Sequence, residues 1–133
     1  MKLYKNFNIS KNHKKSVILI GNFDGVHVGH QKLFKLANSY KKKFNLNIGV
    51  LTFEPMPKMF FNKSIKNFRI SNINQKNTIL KSLGVDFVIT QKFDKKFSKI
   101  KSDFFIKKML SEKLEAQYIF VSNNFKFGNK REG

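Results

Sequence analysis

The feature that most constrains the fold is an apolar strand that runs directly into a glycine-rich turn and then a helix. Residues 16–20 end in the apolar run VILI, which is typical of a strand buried on both faces of a parallel sheet. The turn GNFDGVHVGH covers 21–30. Helical spacing follows, with apolar residues at Leu33, Leu36, Ala37, Tyr40 and Phe44. In an open α/β sheet, such a junction is where the ligand site lies.

Strands and helices alternate along the rest of the chain. Predicted strands cover 16–20, 48–53, 85–90 and 118–121. Predicted helices cover about 29–44, a segment stopped at Gly84, and a segment capped by Ser102. The apolar face of this last helix comprises Phe105, Ile106, Met109, Leu110 and Leu114. Crossover connections of this kind predict an α/β fold with a Rossmann-like parallel sheet.

The two ends of the chain are less regular. The basic first 15 residues suggest no element, and His13 within them has no assigned role. Phe93 and Phe97 fall in a connecting segment. After the last strand, the residues to Gly133 resemble a loop. We therefore expect one domain over 1–133 that is incomplete at its C-terminus.

Composition limits the possible partners. The net charge of +19 suggests a polyanion, but all of the 27 basic residues except Arg69 and Arg131 are lysine, scattered along the chain. A biased composition rich in Lys, Asn, Ile and Phe explains this better than a nucleic-acid partner. No apolar run approaches the ~20 residues of a membrane span, and cysteine is absent. A cytoplasmic protein is expected.

The glycine-rich turn has the composition of a phosphate site. Gly21, Gly25 and Gly29 allow backbone to approach a ligand, and a helix N-terminus attracts phosphate. His27 and His30 are three residues apart, so they share one face of the first turn and can donate hydrogen bonds to phosphate. A zinc site is the alternative, but it lacks cysteine and HExxH order.

Specific segments resemble a known family. GNFDGVHVGH resembles the HxGH signature of nucleotidylyltransferases. LTFEPMPKMFF resembles the T-F-x-P-H-P-x-x-x-F segment of bacterial FAD synthetases, and RISNINQKNTILKSLGVDFVI resembles their R-(I/L)-x-x-x-x-x-K-x-x-x-L-x-x-L-G-V-D run. FVSNNFKFGNKREG resembles their V-G-x-(N/D)-F-x-F-G-x-x-R-x-G loop. Together these segments cover nearly the whole chain.

The resemblance implies an FMN adenylyltransferase module acting in FAD biosynthesis. In that reaction FMN attacks ATP, with Mg²⁺, to give FAD and pyrophosphate. His27 and His30 match the catalytic positions. The positions matching the ATP site are Gly21, Asn22, Phe23, Asp24, Gly25, His27, Gly29 and His30. No residue matches a protein ligand for the metal, which phosphates and waters would hold. A riboflavin kinase domain is normally fused to this module and is absent here.

The resemblance also implies a flavin site, with some departures. The matching positions are Phe53, Pro55, Met56, Pro57, Phe61, Asn124 and Phe127. Met56 replaces the family's usual His, and Ser122 replaces the usual Gly before the last loop. The family's I-S-S-T-x-I-R segment, which supplies ATP contacts, is missing, so we expect weak activity or none from this chain alone.

Other functions remain open. A related nucleotidylyltransferase could modify a different phosphate ester, such as pantetheine phosphate or glycerol phosphate. A non-enzymatic basic module could bind nucleic acid. A tRNA synthetase fragment also has an HxGH element, but nothing here resembles the second, lysine-rich motif of those enzymes.

Overall fold

The computed structural model describes residues 1–23, 28–54 and 73–122. Five strands form one parallel sheet: β1 (Lys2–Tyr4), β2 (Val17–Ile20), β3 (Ile48–Glu54), β4 (Phe87–Lys92) and β5 (Tyr118–Val121). The main helices are α1 (Val28–Phe44), α2 (Ile73–Ser82), the short α3 (Lys95–Ser98) and α4, which is α-helical over Ser102–Phe104 and π-helical over Phe105–Lys113. A 3-10 turn spans Lys11–His13.

The strand order is β1-β4-β3-β2-β5, and every pair is parallel. The predicted parallel Rossmann-like sheet is therefore confirmed. The strand order reverses at β2, because the chain runs from β2 through β3 to β4 on one side and then returns to add β5 on the other side of β2. In doubly wound sheets, ligands bind beyond the carboxyl ends of the strands at such a reversal.

Apolar cores cover both faces of the sheet. Ile18 and Ile20 of β2 point into a core with α3 and α4, whereas Val17 and Leu19 point into a second core with α1 and α2. This alternation explains why the VILI run is fully apolar. β2 is consequently a rigid support for the turn that follows it.

The N-terminal segment is ordered by contacts that the sequence did not predict. β1 pairs with β4, placing Lys2 opposite Phe87, so the predicted order of elements was wrong in omitting a first strand. His13 stacks on the Phe87 ring with 4.6 Å between centroids, and its Nδ1 lies 2.7 Å from the Tyr4 hydroxyl. His13 therefore pins the N-terminal segment to the edge of the sheet.

The structure also corrects parts of the predicted helices. Phe34 is buried in α1, whereas Leu36 and Phe44, predicted for its apolar face, are each 44% exposed. Ser102 is not a cap, because it lies inside α4 and Lys101 occupies the cap position without a side-chain hydrogen bond. Ile106 is 56% exposed. The strand predicted at 85–90 lies instead at Phe87–Lys92.

His13 should make the stability of the protein depend on pH. Burial lowers the pKa of His13 below its ordinary value of 6.5; Asp86 opposes this shift, while Lys2 and the N-terminal amine add to it. The unfolded chain therefore binds a proton at higher pH than the folded protein. Stability should fall as pH drops through 6.5 towards the folded pKa, and should not change through this group above 6.5.

Urea unfolding at about pH 7.5 and about pH 5 measures this effect. His13→Asn, which cannot titrate, should lose less stability than the parent protein between these pH values. An equal loss in both proteins would mean that His13 contributes nothing to the pH dependence.

No helix within residues 1–23, 28–54 and 73–122 combines the length and apolar character needed to cross a membrane.

Candidate functional site

The site lies at the carboxyl ends of β2 and β5, where the strand order reverses. The Gly21 N–H donates to the Leu51 carbonyl of β3 at 3.1 Å, and the Ser122 N–H donates to the Ile20 carbonyl at 2.9 Å. The start of the turn is thus fixed by one backbone hydrogen bond from Gly21 to β3 and by a second one to Ile20, the last residue of β2. The turn that the sequence predicts as a ligand site therefore begins at the sheet reversal.

Gly21 is needed because of its close approach to Ser122. A Cβ built on Gly21 would lie 2.4 Å from the Ser122 Oγ, 3.0 Å from the Ser122 Cβ and 3.1 Å from the Phe23 Cζ. Ser122 is itself almost fully buried. Gly21, directly after β2, and Ser122, directly after β5, are therefore packed against each other.

Among the described residues of the turn, Phe23 has an unusual backbone conformation. Its φ is +52°, in the left-handed region that a bulky residue seldom adopts, and Gly21 does not show this conformation. Such strain costs on the order of 1–3 kcal/mol. The Phe23 ring is 1% exposed and meets the rings of His30 and Phe34 edge-on at 5.0 Å and 5.2 Å. Burial of the ring offsets the strain and sets the shape of the turn.

His30 lies in the first turn of α1, as predicted. Its side chain is half-buried, and its ring packs on Phe23. α1 has no acidic residue in its first turn, so none there neutralises the positive end of the helix dipole. The backbone of Gly29 is part of the same turn. These features suit an anion at the start of α1.

Lys76, a polar residue packed behind the turn, was not among the predicted functional residues. Lys76 of α2 is 3% exposed, and its Nζ donates to the Asn22 carbonyl at 3.0 Å. Its signal in the sequence is its helical spacing with the apolar Leu80 and Leu83, which places a lysine on the buried side of α2. The Asn22 Oδ1 is buried, and within the described part of the chain it has no hydrogen-bond partner.

Other predicted site residues are only partly tested by the structure. Phe53 is fully buried and packs against the rings of Phe93, Phe97 and Phe105, so it is at least a core residue. Its contact with flavin stays a prediction. The following predicted residues lie outside the described residues: Asp24, Gly25, His27, Pro55, Met56, Pro57, Phe61, Asn124 and Phe127.

Metal-binding side chains do not cluster in the described part. Residues 1–23, 28–54 and 73–122 hold no group of three or more His, Cys, Asp or Glu side chains that could bind a metal ion. These residues consequently give no support to the alternative zinc site. A metal ion bound to an anionic ligand would obtain its coordination from that ligand and from water.

Comparison with known proteins identifies the family. The sequence matches the model of the FAD synthetase family over residues 9–133. It is 40% identical to the bifunctional riboflavin kinase/FMN adenylyltransferase of Buchnera aphidicola subsp. Schizaphis graminum, an alignment that covers 100% of this chain and 43% of that protein. It is 36% identical to the Escherichia coli K12 protein of the same name, over 88% of this chain and 37% of that protein. The chain thus spans less than half the length of these relatives.

The fold is also found in a solved structure. A crystal structure described as a macrolide-efflux protein from Streptococcus pneumoniae superimposes with a TM-score of 0.81 and 28% identity, covering 98% of this chain and 43% of that one. The family match extends over the strand, turn and helix that form the site and over most of both cores. The chain therefore belongs to the FAD synthetase family.

Proposed function

We propose that this chain transfers the AMP moiety of ATP to FMN, giving FAD and pyrophosphate. The observation that carries the proposal is the strained turn at the sheet reversal, with His30 in the first turn of α1. The names of the relatives support FMN as the acceptor. A riboflavin kinase, the other activity in those names, would supply the FMN, and we expect the whole protein to contain that domain.

The reaction needs no nucleophile from the enzyme. An oxygen of the FMN phosphate attacks the α-phosphorus of ATP, a new P–O bond forms, and the bond to the β-phosphate oxygen breaks as pyrophosphate leaves. The protein contributes position and charge stabilisation. His30, together with His27, would donate hydrogen bonds to the phosphate oxygens as negative charge moves towards the leaving group.

The ATP site would be built around the turn after β2. The start of α1 offers backbone donors to the phosphates, and the buried Asn22 Oδ1 offers an acceptor to a donor group of the nucleotide. The shape of the turn depends on Phe23. Asp24, Gly25 and Gly29 complete the proposed ATP-binding residues. Mg²⁺ would enter with ATP, held by phosphate oxygens and waters.

The flavin site would lie between the segments that follow β3 and β5. Phe53 is the second-last residue of β3 and lies among other aromatic rings, which supports an apolar floor at that position. The flat ring of FMN would pack on such a surface. Pro55, Met56, Pro57, Phe61, Asn124 and Phe127 are the remaining residues proposed to line it.

Ligand titration tests this function against its alternatives. The protein is titrated with FMN, FAD, ATP and a short RNA at two salt concentrations, following flavin fluorescence and RNA mobility. We expect flavin binding in the range of about 1 µM to 1 mM that resists salt. FAD formation is then measured by chromatography after ATP and FMN are mixed with Mg²⁺.

The same assay can reject the proposal. Salt-labile RNA binding without flavin binding would indicate a basic nucleic-acid module. Adenylylation of pantetheine phosphate or glycerol phosphate in preference to FMN would indicate a different nucleotidylyltransferase.

A further inference from the structure

A buried ammonium group lies behind the turn that follows β2. Lys76 is 3% exposed, although lysine is almost never fully buried unless its charge is paired or hydrogen-bonded. Lys81, the other lysine of the same helix, is exposed. The burial of this one cation therefore calls for a specific role.

The contacts of Lys76 connect three elements. Its Nζ donates to the Asn22 carbonyl in the turn at 3.0 Å and to the Thr52 Oγ1 of β3 at 3.3 Å. Thr52 is itself buried. One side chain of α2 thus joins the turn to the central strand beside it. Hydrogen bonds to a charged donor contribute about twice as much as neutral ones.

The acceptor in the turn belongs to the peptide before the strained residue. Asn22 precedes Phe23, whose φ is +52°. Because a trans peptide is planar, with its C=O and N–H pointing in opposite directions, a fixed Asn22 oxygen also fixes the direction of the Phe23 N–H. Lys76 therefore controls the orientation of a backbone donor in the turn.

We propose that Lys76 is a positioning residue for the nucleotide: by holding the Asn22 carbonyl, it keeps the Gly21–Phe23 turn in the geometry that ATP requires. The part of this inference that concerns ATP rests on the proposed function. The part that concerns the turn does not, since it follows from the contacts of Lys76 alone.

Hydrogen exchange measures the order of the turn without a ligand. Lys76→Met keeps an unbranched side chain of similar length and removes the charge. In this variant the amides of residues 21–23 should exchange about tenfold faster than in the parent protein. The Ser122 amide, bonded to Ile20 on the other side of the turn, should change less than about twofold. Lys81→Met removes an exposed charge from the same helix and should alter neither.

Two results would overturn the assignment. In the first, exchange at residues 21–23 stays within about twofold of the parent protein. In the second, exchange rises equally throughout the sheet, as expected if Lys76 stabilises the whole fold and not the turn in particular. If Lys76→Met does not fold, Thr52→Val replaces it, because that change keeps the cation and removes one acceptor. Thr52→Val should accelerate exchange at residues 21–23 by about threefold, and unchanged exchange rates at these amides would again overturn the assignment.

Calorimetry of ATP and FMN binding tests the functional part. Lys76→Met should weaken ATP binding about tenfold or more and leave FMN binding within about twofold. Faster exchange in the turn with unchanged ATP affinity would overturn the role towards the nucleotide. If the parent protein binds neither ATP nor FMN, the proposed function fails, while the exchange experiment still decides whether Lys76 positions the turn.

Discussion

In the full-length protein, replacing His30 by phenylalanine should lower the rate of FAD formation by about a hundredfold while leaving the protein folded. The ring of His30 packs edge-on against Phe23 at 5.0 Å, and phenylalanine can preserve that contact. What the substitution removes is the ring N–H that would donate to phosphate. The expected loss therefore appears in turnover measured at saturating ATP and FMN, with little change in unfolding midpoint.

Further variants separate chemistry from packing. His30→Ala removes both the N–H donor and the ring, so it should lose activity to the same extent and also lower stability. His30→Asn restores an N–H donor and should recover part of the activity. Gln31→Ala changes the exposed neighbour in the same helix and should leave turnover unchanged. Full turnover in His30→Phe would exclude the phosphate role of His30, and His27→Ala tests His27 in the same assay.

The central strands could be predicted because their side chains carry a local signal. Val17–Ile20 and Tyr118–Val121 are short apolar or aromatic runs, and the structure places strands there. β1 has no such signal, since Lys2–Tyr4 is mostly exposed and becomes a strand only by pairing with β4, far away in the sequence. Pairing of that kind depends on the tertiary structure and cannot be read from the segment alone.

The prediction for Ile106 failed because the helix changes its period. An α-helical spacing groups Phe105, Ile106, Met109 and Leu110 on one face. In the π-helical segment the hydrogen bonds run from residue i to i+5, as between the Leu114 N–H and the Met109 carbonyl. The wider turn buries Phe105 and Leu110, five residues apart, and turns Ile106 towards solvent.

The location of the candidate site could be predicted from the sequence, but the contacts that shape it could not. The apolar strand and the glycines indicated a turn in which the backbone comes close to a ligand. They did not indicate that Phe23 would adopt a positive φ, or that Gly21 would be needed for its close packing against Ser122. Lys76 was not identified because a lysine in a lysine-rich chain is expected to be exposed, and its helical spacing with Leu80 and Leu83 is the one sign of its burial. Both features depend on which segments meet in three dimensions.

The close approach between Gly21 and Ser122 leads to a second large expected effect. Gly21→Ala would place a methyl group 2.4 Å from the Ser122 Oγ. Rotation of the hydroxyl could relieve that contact, but the Ser122 Cβ at 3.0 Å and the Phe23 Cζ at 3.1 Å would remain. The backbone of the turn must therefore move, which should cost about 1–3 kcal/mol of stability. A shift of this kind at the phosphate site should reduce FAD formation by about a hundredfold.

A second substitution in the partner residue identifies the cause of that loss. Ser122→Gly removes both the Oγ and the Cβ that the new methyl group would meet, so the double variant Gly21→Ala/Ser122→Gly should recover much of the stability and of the ATP affinity. Recovery should stay incomplete, because the contact with Phe23 persists. Ser122→Gly alone is the matched control, with a cost of roughly 0.5–1 kcal/mol from added backbone freedom. Urea unfolding and ATP calorimetry are measured on the parent protein, the two single variants and the double variant, which together form a double-mutant cycle. Equal losses in the single and double variants would show that Gly21 is required for some reason other than its packing on Ser122, such as direct contact between its backbone and the nucleotide.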